Sequence, residues 1–214
     1  MALSRRSLLT LRFPERARPP RDPRPYPLAD GAPALMAALE PLRALLREIA
    51  GEGAVDLSVG EHTRLDALPY GDQSAHAIVS VLGVALAPRP KRAGRELLRV
   101  LEPGGLLALA APLPGSLVAR TLLAAAYDGP SPLLWGDEGT VRDRLRGAEV
   151  ESRAHALRIG FESLDAAWDA VAVPFGVPAG ARESYEEMLA THSPGSGELA
   201  MQDRWQIVLA RRAA

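Results

Sequence analysis

The chain has 214 residues, a formal net charge of −1, 47% apolar and 24% charged residues, and no cysteine. That length suits one domain with a full core. The balanced charge gives no footing for a nucleic-acid or anionic-membrane partner, and the missing cysteine excludes disulfides, thiolate metal sites and a cysteine nucleophile.

Near the start, Ser4 to Leu11 (SRRSLLTL) resembles the opening of a twin-arginine export signal, but its apolar run stops at Arg12 and no A-x-A site follows. A mature, cytoplasmic N-terminus is therefore expected. No segment reaches the ~18 apolar residues of a membrane span. Ser7 to Phe13 reads as a short strand. Pro14 to Pro27 is dense in proline and arginine and reads as an extended connector. Tyr26 to Asp30 reads as a brief strand ending at an acid.

Ala34 to Ala50 is a predicted helix, with Leu35, Leu39, Leu42, Leu45, Leu46 and Ile49 on one face, a kink or break at Pro41 and a stop at Gly51 and Gly53. Ala54 to Val59 alternates like a strand. Ala75 to Leu86 is apolar almost throughout, as a strand buried on both faces would be. Pro90 to Leu101 has helical spacing. Pro103-Gly104-Gly105 should end that helix and reverse the chain into a strand at Leu106 to Ala111. Ser116 to Tyr127 is a helix with Ser116 as its N-cap. Helices follow at Gly139 to Arg146, Leu164 to Val173 and Ala181 to Thr191, and strands at Val150 to Ile159 and Trp205 to Ala210. Alternating strands and helices predict an α/β fold with a mostly parallel sheet and helices on both faces.

Four histidines, His62, His76, His155 and His192, are scattered without metal-ligand spacing. There is no nucleophile elbow, no P-loop and no GxGxxG. Trp135, Trp168 and Phe175 are read as core residues of the C-terminal part.

Asp66 to Pro112 (DALPYGDQSAHAIVSVLGVALAPRPKRAGRELLRVLEPGGLLALAAP) resembles the central part of class I S-adenosylmethionine-dependent methyltransferases of the small-molecule branch. The carriers are the acid and Leu-Pro-Tyr turn at Asp66 to Tyr70, the strand at Ala75 to Gly83, and the helix-to-strand stretch Arg95 to Gly105. Ser131 to Leu145 resembles the family's approach to its sixth strand, and Arg204 to Arg212 its closing strand. The resemblance implies a Rossmann-like fold with an antiparallel last strand. It implies S-adenosylmethionine as cofactor and methyl transfer to a small, apolar acceptor, or a non-catalytic descendant acting as a partner or regulatory subunit. A homo- or heterodimer is compatible with it. It also implies one domain over 1–214, with an irregular segment at 1–27 and a substrate cover drawn from 113–200.

The same resemblance places the cofactor near Asp66, Ala67 and Ser80, with Val81 and Leu82 beside it, and puts His76 where the family carries an acid. The family's glycine-rich loop after strand one has no clear counterpart. In one register Ser7 to Phe13 is strand one and Tyr26 to Asp30 strand two, with Asp30 as the ribose-binding acid. In the other, Ala54 to Gly60 (AVDLSVG) is strand one, Val59-Gly60 is the loop's remnant and strand two is largely missing. The first keeps the sheet whole and is the preferred register.

Overall fold

A computed structural model describes residue 28 and residues 32–60, 64–191 and 199–214. Strands β1 (Val55–Asp56), β2 (Ala75–Val81), β3 (Leu101–Pro112), β4 (Ala148–Phe161) and β5 (Leu199–Arg212) form one sheet in the order β1-β2-β3-β5-β4. β1, β2 and β3 run parallel, and β5 is antiparallel to both of its neighbours. The predicted α/β class with an antiparallel last strand is observed. From Ala77 to Val81, five successive β2 residues are buried, so both faces of the sheet are covered there.

Helices α1 (Pro33–Ala38) and α2 (Glu40–Ala50) replace the single predicted helix. The break falls at Leu39, one turn before it would have to pass Pro41. Proline then sits in the first turn of α2, where its missing N–H costs nothing. α2 packs on β2 and β3 through Leu42 and Leu46, both fully buried. α3 (Pro90–Val100) packs on β3, and α5 (Glu138–Arg144) on β4 and α3. α4 (Leu117–Ala124) starts at Ser116, whose hydroxyl accepts from Ala119 N as its composition suggested. α6 (Leu164–Ala167) runs on into a wide turn at Trp168–Ala172, and α7 (Arg182–Ala190) follows.

Two expectations change. Pro103-Gly104-Gly105 does not reverse the chain. The helix already ends at Val100, and Leu101 pairs with Ala75 while Leu106 pairs with Ala77. The stretch from Glu102 to Gly105 is therefore a bulge inside β3. Gly104 takes φ +78°, and a Cβ on Gly105 would lie 2.9 Å from Glu102 O and 3.0 Å from His76 O. The apolar run from Ala75 likewise stops being strand at Val81. Leu82 adopts φ +62° and a short turn follows at Val84–Leu86, all of it buried.

Candidate functional site

In a doubly wound sheet the first strand neighbours the fourth. β1 occupies that slot against β2, with Val55 opposite Ile78 and Asp56 opposite Val79. The pairing extends past β1, because Leu57 N donates to Val79 O and Val59 N to Val81 O. Ala54 to Gly60 is thus strand one. This corrects the preferred register, whose first strand (7–13) and candidate Asp30 lie outside the described residues, as does its second strand (26–30) apart from Leu28, which lies in a turn. Sheet completeness favoured the other segment, but strand one's place beside β2 is taken by Ala54 to Gly60. Only five residues separate Gly60 from Asp66, too few for the helices and strands that follow strand one in such folds.

β1 is consequently an edge strand among the described residues, and its own side chains blunt it. Asp56 Oδ1 accepts from Ser58 N at 2.9 Å, and Oδ2 accepts from Arg43 Nε at 2.7 Å and Arg47 Nη2 at 2.9 Å. Burial pushes the Asp56 carboxyl up, but the bonds from Ser58 and Arg43 outweigh it and hold it below its ordinary value.

Where strand one and strand four end, beside the ligand crevice of such folds, the two strands and the turn after β2 bond to one another. Ser80 is 1% exposed. Its hydroxyl donates to Leu57 O and accepts from Val84 N, both at 3.0 Å. Ser58 Oγ accepts from Val81 N at 3.0 Å. A Cβ on Gly83 would lie 1.9 Å from Leu57 O, so the turn rests directly on the β1 backbone. Asp66 is paired with Arg89, has Arg92 Nε at 3.9 Å, and its carbonyl accepts from that same Nε. Ala67 is exposed, between Leu65 and Leu68, which are buried.

The turn carrying Asp66 is strapped to α3 by residues that periodicity could not single out. Glu96 accepts from Leu68 N at 3.2 Å and from Arg99 Nη2 at 2.8 Å. Arg99 donates onward to Tyr70 O and Asp72. The Arg99 bond holds the Glu96 carboxyl below its ordinary value. These two residues are the polar positions of the Glu-Leu-Leu-Arg stretch in the quoted resemblance, which was the only signal available.

Farther along the sheet, Asp203 is 2% exposed and accepts from Leu117 N at 2.8 Å and Trp205 Nε1 at 2.9 Å. Burial pushes its carboxyl above the usual range. Tyr185 shares a buried hydrogen bond with Thr121 at 2.8 Å and packs edge-on to Trp168. Trp135, Trp168 and Phe175 are all buried, the core role expected of them. Arg144 stacks over Trp135 at 4.7 Å, and its Nη1 and the Trp135 Nε1 are buried without hydrogen-bond partners. No group of three or more metal-ligating side chains occurs among the described residues, His62 and His192 lying outside them. An open cleft of about 530 Å³ borders Arg47, Glu48 and residues 51–54. It lies before β1, at the end of the strand opposite the crevice.

Residues 37–109, about a third of the chain, match a family model described as a methyltransferase domain. None of the curated proteins matches. Among solved structures, a protein assigned as a methyltransferase from Bacillus halodurans C-125 is 14% identical, with 80% of this chain and 98% of that one covered and a TM-score of 0.54. The YcgJ protein of Bacillus subtilis is 15% identical over 70% of this chain and 69% of its own, at a TM-score of 0.48. A protein assigned as a methyltransferase from Haloferax volcanii, solved in complex with a methyltransferase activator, is 18% identical over 83% and 78%, at 0.43. The domain match and the shared fold bear out the resemblance read from Asp66 to Pro112, and S-adenosylmethionine is the cofactor that goes with it. Of the described residues assigned to that cofactor, Asp66 is ion-paired with Arg89, and Ser80 bonds to Leu57 O and Val84 N. No helix among the described residues is long and apolar enough to cross a membrane.

Proposed function

We propose that this chain, a domain of the class I S-adenosylmethionine-dependent methyltransferase type, serves as a partner or regulatory subunit and does not catalyse methyl transfer by itself. One observation supports the reading: at the ends of strands one and four, Ser80 Oγ bonds to Leu57 O and Gly83 packs tightly against the same carbonyl. A cofactor of this size needs an open crevice lined by free polar groups. Here those groups bond to one another. In this reading 1–214 acts as one cytoplasmic domain, 113–200 keeps the shape of a substrate cover, and the partner is a protein rather than a nucleic acid.

The second reading is methyl transfer to a small, apolar acceptor. The domain match over 37–109 favours it, as does the apolar packing around Trp168 and Tyr185. Asp66, Ala67, Ser80 and Asp30 would then border the cofactor, after Arg89 releases Asp66. Calorimetric titration with S-adenosylmethionine and S-adenosylhomocysteine separates the two. The first reading expects no heat at millimolar ligand. Micromolar binding of either compound would overturn it and make the search for an acceptor worthwhile.

A further inference from the structure

β4 is a 14-residue edge strand. Its ends are covered: Val150, Leu157 and Ile159 are buried. Its middle is not, for residues 152–156 are half-buried or exposed on both faces. A strand edge without a neighbouring strand offers a row of N–H and C=O groups to another strand; here α5 bonds to it through Arg142 at Val150 O and through Glu138, which accepts from Ser152 Oγ at 3.1 Å.

The backbone fixes which groups those are. Ala213 N donates to Gly147 O, so the odd-numbered residues of β4 bond to β5 and the even-numbered ones face outward. Arg142 Nη2 reaches Val150 O from that outer side at 2.8 Å, which agrees. An antiparallel partner must therefore match even residues to even residues.

The side chains then select one register. Glu149, Glu151, Arg153 and His155 share the odd face, and no ion pair engages them among the described residues. A twofold axis at Ser152 sets Glu151 against Arg153 of a second copy, and Glu149 against its His155, twice over by symmetry. Val150 then faces Ala154, and Ala148 faces Ala156, on the small even face. An axis at 151 would oppose Glu151 to itself. An axis at 153 would do the same to Arg153, and one at 154 would oppose Arg153 to His155. Directly opposed like charges destabilise a strand pair and opposite ones stabilise it.

We propose that the outer edge of β4 is a self-recognition surface, on which a second copy of this chain pairs antiparallel about Ser152 and joins two five-stranded sheets into one. Such an isologous contact closes on itself and stops at a dimer. Val150 O has a second lone pair for the incoming Ala154 N–H, so Arg142 can stay in place.

Sedimentation velocity on the full chain over a concentration series tests this. A reversible dimer is expected, weakened by added salt because its ion pairs lie at the surface. Arg153→Glu should weaken it by about tenfold or more, since two attractive pairs become repulsive. The exchange Glu151→Arg with Arg153→Glu should restore it, because the pairs are re-formed with their signs reversed. Both positions are exposed, so circular dichroism should be unchanged. Ala154→Pro, which removes an outward N–H, should abolish pairing. A chain that stays monomeric throughout, an Arg153→Glu variant that dimerises like the parent, or an exchange variant that fails to recover would each overturn the proposal. None of these outcomes depends on whether S-adenosylmethionine binds.

Discussion

On one flank of the sheet, β1 and the turn after β2 lean on each other with no intervening space. On the other, β5 and β4 pair with each other along their whole length, and Asp203, Thr121 and Tyr185 make buried hydrogen bonds beside them. Both flanks hold a carboxylate at a structural junction, and the two are tuned in opposite directions. Asp56 is held ionised by Ser58, Arg43 and Arg47, and Asp203 is pushed toward its protonated form by burial. A flank that has lost its neighbouring strands must satisfy its exposed backbone with charged side chains. A flank that keeps them can bury an acid on two N–H donors.

The sharpest break of that comparison is Gly83→Ala. The new methyl group meets backbone, not a side chain that could swing away, so stability should fall by about 3 kcal/mol in chemical denaturation. A loss near zero would mean that the turn can move off the Leu57 carbonyl, and the reading that rests on this contact would fail with it. Asp203→Ala comes next, with a loss of about 2 kcal/mol, because Leu117 N–H and the Trp205 indole N–H are left buried without an acceptor. Asp203→Asn, which keeps one acceptor, should lose less.

Smaller still, and opposite in sign, is Arg144→Met. Arg144 is 8% exposed, and burial pulls its guanidinium pKa down against the weaker opposing pull of Asp143 and Asp137. An apolar side chain of similar length keeps the contact with Trp135, so a gain of about 1 kcal/mol in thermal or chemical unfolding is expected. The finest test compares the two acids by pH. The contribution of Asp56, whose folded value lies below 3.8, is present above that pH and lost as pH falls through the folded value. The contribution of Asp203, whose folded value lies above 3.8, is present below that pH and lost as pH rises through the folded value. Asp56→Asn should flatten the acid loss, and Asp203→Asn should remove the decline at higher pH. Matching profiles for the two variants would erase the distinction between the flanks.

Much of the fold was legible in the residues. The apolar run at Ala75, the helical spacing of Pro90 to Leu101 and the cap at Ser116 each mark a local preference that packing then kept. The site was less so. Ser80 lies near the end of β2 and Asp66 in the turn strapped to α3, but their partners come from other stretches, Leu57 and Arg89, and periodicity carries no record of who bonds to whom.

By itself, the sequence determined the α/β class, the central strand-helix-strand and the likeness to methyltransferases. The first two rest on hydrophobic period and turn chemistry, which act over a few residues, and the third on the resemblance carried by Asp66 to Pro112. Only the tertiary structure decided that Ala54 to Gly60 is strand one, that Pro103 to Gly105 is a bulge, and that Gly83 packs against the Leu57 carbonyl. Those depend on which backbone groups far apart in the chain find each other, and a hydrogen bond between strands leaves no periodic trace in either one.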